Sequence, residues 1–152
     1  MERLPAYPAD RLTDRTRTVL RLARKANQDK KDLTPRSLLV GMCQEGSGVA
    51  GRILARHNVD ATEVFIAIEP SAPSGWSMVH FSKTCQDVAA SIGHNYIGTE
   101  HLLIAMTSPF ESAAKSALTA CGINPDDLRE DCLLYTSPSP RDQRGSRMPS
   151  SA

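Results

Sequence analysis

Slid along itself by 64 residues, the sequence meets a second copy of its own pattern. From Leu33 over Ile97 to Val64 over Leu128 the two stretches align without a gap. Leu38-Leu39 fall on Leu102-Leu103, Val40 on Ile104, Met42 on Met106, Ala50 on Ala114, Leu54 on Leu118 and Val59 on Ile123. The matched positions are apolar or helix-starting, as expected when a folding unit is duplicated and each copy buries its apolar face against a neighbour. Neither copy is long enough to hold much core alone, so the two are expected to pack as one domain.

The unit is read as helical. Aromatic residues make up only 5% of the chain, so the core must come from Leu, Ile, Val, Ala and Met, which suits helices better than a sheet sandwich. Thr34-Pro35, Ser108-Pro109 and Asn124-Pro125 each set a capping side chain before a proline whose missing N–H costs nothing in the first turn. Ser108 with Glu111, and Asp60 with Glu63, have capping-box spacing. Gly122 suits a left-handed helix stop. These signals predict helices near 13–28, 35–44, 48–57 and 61–68 in the first copy, and near 77–92, 100–107, 110–121 and 125–131 in the second. In the first helix, Val19, Leu22, Ala23 and Ala26 define an apolar face. The expected fold is all-α: two pseudo-symmetric four-helix repeats packed as one globular domain. Repeat one covers 10–68, a Pro/Ser/Gly-rich linker 69–76 and repeat two 77–131.

Residues 132–152, "CLLYTSPSPRDQRGSRMPSSA", change character to Ser, Pro and Arg, a composition expected to be disordered. Written back into codons, Leu133 to Asp142 resembles the adapter of a transposase-based sequencing library, and Gln143 to Ala152 fits an index and primer end. The segment is therefore read as adapter read-through and set apart from the folding unit.

Bulk properties narrow the function classes. A net charge of +1 gives no electrostatic argument for nucleic acid or an anionic membrane, and no apolar run approaches the length of a membrane span. Cysteines at 43, 85, 121 and 132 form no CxxC and have no histidine at ligand spacing, so reduced thiols in a cytoplasmic protein are expected, with no metal and no cofactor. Cys85 and Cys121 read as small buried hydrophobes. His57, His80 and His94 are scattered, with no carboxylate or cysteine at useful spacing, and His101 reads as a packing residue. The lone Trp76 sits where the linker ends, read equally as an exposed contact or a cap over the junction. No phosphate-cradling G-x-x-x-x-G-K-[ST] loop is present in this chain, which is read as non-enzymatic.

The second copy is the sharper one. Its "GHNYIGTEHLLIAM" (Gly93–Met106), followed by "SAAKSALTACGINPDDL", resembles the repeat of the Clp N-terminal domain, the two-copy helical module of Clp-family AAA+ unfoldases. In the first copy, "LTPRSLLVGM" and "GVAGRILARHNVD" carry the likeness. The resemblance spans roughly residues 12 to 131 and implies a protein-binding module that receives adaptor proteins or protein substrates for a Clp ATPase ring. It implies either the front of the unfoldase itself or, as the alternative, a freestanding accessory protein acting in trans. In some family members the Glu of "GTEH" contacts phosphorylated arginine on proteins marked for degradation. That position is Glu100 here, preceded by Thr99; in the first copy it is Arg36, preceded by Pro35. A carboxylate pairs bidentately with a guanidinium, whereas Arg36 would repel one and suit a phosphate. Glu100 in a first turn also suits the helix dipole, and Thr99 suits a helix cap, in any protein.

Overall fold

The computed structural model describes residues 11–28, 33–69 and 73–136. Those residues form eight helices: α1 (Asp14–Ala26), α2 (Pro35–Glu45), α3 (Val49–Arg56), α4 (Ala61–Ala67), α5 (Met78–Ile92), α6 (Thr99–Met106), α7 (Ser112–Ala120) and α8 (Pro125–Thr136). The all-α expectation of four helices per repeat holds. Residue 10, linker residues 70–72 and the tail from 137 onward lie outside the described residues.

Local chemistry starts and stops the helices. Thr34 caps α2 in a reciprocal box with Ser37, with Pro35 at the first position; Asp60 caps α4 through the Glu63 amide; and Asn124 accepts from Asp126 and Asp127 at the head of α8. Gly93 and Gly122 take the left-handed conformation after α5 and α7. Expectation and structure part at α7. Its N-cap is Glu111, and Ser108 caps only the preceding turn by accepting from the Phe110 amide. Glu111 is buried, and its carboxylate instead accepts from Thr84 Oγ1 at 2.6 Å and pairs with His80 Nδ1 at 2.8 Å. A buried carboxylate needs such partners more than a neighbouring amide needs a cap. Helix α8 also runs on past residue 131 to Thr136, because Cys132 continues the Leu128 stripe into the core four residues later. The buried face of α1 is Thr16, Val19, Leu20 and Ala23, so Leu20 takes the place expected for Leu22.

Helices α2 and α6, paired by the sequence repeat, lie at the centre. From Leu33 to Met42 every residue but Arg36 is buried, and from Ile97 to Ser108 every residue but Glu100. Within repeat one, α2 packs on α1, α3 and α4; within repeat two, α6 packs on α5, α7 and α8. Across the repeats, α3 packs on α6 and α7 on α2, as a pseudo-twofold relation requires. A parallel bridge, Leu12 to Ile97, ties the entry of repeat one to the loop before α6. Trp76 closes the junction by donating its indole N–H to the Leu33 carbonyl at 2.7 Å while packing on Phe81.

Helix α1 crosses α2 at close range at Gly41. A Cβ added there would sit 2.4 Å from the Val19 carbonyl oxygen. Gly41→Val is expected to force the helices apart and lower stability by about 2–3 kcal/mol, since the small propensity gain over glycine offsets little of the overpacking. Chemical denaturation checks this, and an unchanged midpoint would refute the close crossing.

Candidate functional site

The three residues singled out in the sequence occupy two pseudo-equivalent corners. Thr99 and Glu100 stand at the head of α6, where it meets the first turn of α3 and the start of α1. The cleft between them measures about 500 Å³ and is lined by Thr13, Asp14, Arg15, Gly48, Thr99 and Glu100. Arg36 stands at the head of α2, facing α7, about 64 residues earlier in the repeat register. The structure therefore brings Thr99 and Glu100 together and puts Arg36 in a separate groove.

Thr99 is not the N-cap of its own helix. That position belongs to Gly98, whose amide donates to His101 Nδ1 at 2.8 Å. Thr99 is buried, and its hydroxyl accepts from the Ala50 amide at 3.2 Å, satisfying a free donor at the head of α3 in the other repeat. Gly48 makes this possible, because a Cβ there would lie 2.8 Å from Thr99 Oγ1. Glu100 is partly exposed, and its carboxylate folds back over Gly98, within 2.4 Å of where a Cβ would be. Across the cleft, Arg15 is held at 3.8 Å by the nearly buried Glu45. Asp14 is paired with Arg17 and Arg15 with Glu45, so Glu100 is the cleft carboxylate left to meet a cationic visitor.

Behind Glu100 lies a ring cluster that sequence spacing did not reveal. His94 Nδ1 and His101 Nε2 are 2.8 Å apart, with Tyr96 stacked on His94 at 4.9 Å between centroids. Because His101 Nδ1 accepts from Gly98, its Nε2 must carry the proton and donate to His94. Burial first, and then His94, push the His101 imidazole down from the usual 6.5 to about 4. Burial and the nearby Glu100 raise the Tyr96 phenol. The expectation that the histidines lack partners is corrected: His57 Nε2 meets Asp131 at 2.7 Å and His80 meets Glu111, contacts made by residues 74 and 31 apart in sequence. Local spacing carries no signal for such pairs.

The cysteines are unbridged thiols. Burial raises Cys43 and Cys132 to about 12 and pushes Cys85 well up, so they are poor nucleophiles; Cys85 is the buried small hydrophobe expected, whereas Cys121 is only half-buried. Among the described residues no group of His, Cys, Asp and Glu is arranged to hold a metal ion, and no helix is long and apolar enough to cross a membrane.

Fold and site together define a class: a helical double repeat whose centre is buried except at one polar residue per copy. Residues 80–152 match the family model "Clp repeat (R) N-terminal domain". The N-terminal domain of the caseinolytic protease associated chaperone ClpD from Arabidopsis thaliana shares the fold, with a TM-score of 0.64 over 87% of this chain and 98% of that one at 16% identity. The chloroplastic chaperone protein ClpC of Pisum sativum is 26% identical over 90% of this chain and 16% of its own length. The negative regulator of genetic competence ClpC/MecB of Bacillus subtilis is 25% identical over 81% of this chain and 17% of its own. The chain thus shares the fold of a Clp N-terminal domain and matches the Clp repeat model over its second copy, and it spans about a sixth of the length of these two curated relatives.

Two outcomes follow. Thr99→Val keeps the shape but leaves the buried Ala50 amide without an acceptor, and is expected to cost about 1–3 kcal/mol in a thermal or denaturant melt. For His101, the folded value near 4 lies below the usual 6.5, so its contribution is complete above pH 6.5 and is lost as the pH falls toward 4. His101→Gln should therefore show a shallower fall in stability across that window. Parallel pH profiles for the two proteins would contradict the buried neutral imidazole.

Proposed function

We propose that this domain is a non-catalytic recognition module that receives protein substrates or adaptor proteins for a Clp ATP-driven unfoldase, joined to the ring or acting on it in trans. Glu100 is its contact for an arginine side chain of the incoming protein, phosphorylated or not. The observation that carries this reading is the exposure pattern of α6: from Ile97 to Ser108, Glu100 alone reaches the surface, and it does so in a cleft. A carboxylate there can take a guanidinium through two parallel N–H···O bonds. Arg15 and the positive end of the α3 dipole supply positive potential on the opposite wall for a phosphoryl group. Thr99 serves by holding that start of α3 against α6, and so shapes the cleft without touching the ligand.

Isothermal calorimetry with a short phosphoarginine peptide and its unmodified counterpart tests this. Glu100→Ala should weaken binding at least about tenfold, as loss of a charge-assisted pair implies, while the melting curve is retained. Unchanged affinity would remove Glu100 from the site.

A further inference from the structure

The corner related to the Glu100 cleft by the repeat carries the opposite charge. Arg36 takes the place of Glu100 in α2, and there too it is the one residue between Leu33 and Met42 that is not buried. It opens on a groove of about 320 Å³ between the head of α2, the end of α4 and the outer face of α7, walled by Pro35, Ala67, Ile68, Ala113 and Ala117. Small apolar side chains dominate these walls, and they leave room where larger residues would fill the groove.

Arg36 itself is poised and unsatisfied. Its guanidinium lies over the Phe65 ring at 4.7 Å, which fixes its plane, and its Nε is buried with no hydrogen-bond partner. No described carboxylate is within ion-pair distance of it; Glu69 lines the same groove but is exposed and solvated. A buried donor without an acceptor is unfavourable, and an acceptor arriving in the groove would remove that penalty. The acceptor best suited is a planar carboxylate, which matches the guanidinium fork in two parallel bonds. A phosphate, more strongly hydrated, would find one cation and apolar walls.

We propose that this groove docks an extended segment of a partner protein in which a glutamate or aspartate stands beside leucine-sized apolar residues, the carboxylate pairing with Arg36 and the apolar side chains lying against α7. The inference rests on the reading of the domain as a recognition module, and adds to it a second ligand of opposite sign at the other corner.

The test is an NMR titration of the full chain, labelled with ¹⁵N, with acetyl-Leu-Glu-Leu-Leu-amide and with the same peptide carrying Gln for Glu. The expected result is amide shifts at Arg36, Ile68 and Ala113, with the Glu peptide binding roughly tenfold tighter than the Gln peptide. Arg36→Gln should abolish that preference, and Arg36→Glu should transfer it to the Lys counterpart. The comparison of the two peptides on the unaltered chain stands whether or not the variants fold. Equal affinities, no shifts at millimolar peptide, or shifts confined to Thr99 and Glu100 would overturn the proposal. The last outcome would leave the Glu100 reading intact, just as failure of the phosphoarginine experiment would leave this one.

Discussion

Two helices buried on every side impose the architecture. Leu38, Leu39, Val40 and Met42 in α2, and Leu102, Leu103, Ile104 and Met106 in α6, are at most 1% exposed, so neither helix has a face for water. A helix apolar all round needs cover on all sides, and three short partners from one repeat cannot supply it. The remaining cover comes from the other repeat, α3 over α6 and α7 over α2. Duplication is thus the means by which each central helix is closed.

Polar contacts then fix how the halves meet. Thr99 completes the head of α3, Thr16 donates to the Ile97 carbonyl at 2.9 Å, the Thr13 amide donates to the same carbonyl at 3.1 Å, and His57 meets Asp131. Apolar packing alone would tolerate sliding between the repeats, whereas each of these bonds has a narrow geometric optimum. In the other sense of the pseudo-symmetry the Trp76 indole N–H ties the Leu33 carbonyl, but the head of the central helix is left bare towards α7. At the head of α2, Pro35 offers α7 no hydroxyl to match the one Thr99 offers α3, and the wider, apolar groove at Arg36 opens there.

Much of this was legible in the sequence, because the signals are local. Pro35 after Thr34, Asn124 before Pro125 and Gly122 after α7 act within one turn, and the 64-residue offset reports the helix count directly. Arg36 and Glu100 were legible as a matched pair for the same reason. What escaped depends on residues brought together by folding. Glu111 has capping-box spacing to Ser108, yet the field of His80 and Thr84 from α5 claims its carboxylate. Thr99 has the composition of a cap and is one, but for a helix 49 residues away. The length of α8 was obscured by the composition of residues 132–152, in which Cys132 and Leu133 still continue an apolar stripe.

The single Trp76 straddles the seam, hydrogen-bonded to Leu33 in one repeat and packed on Phe81 in the other. Its indole is therefore a built-in optical probe. Emission from this chain reports the docking of the two halves on each other, and a partner that pries them apart will announce itself in colour before any helix is lost.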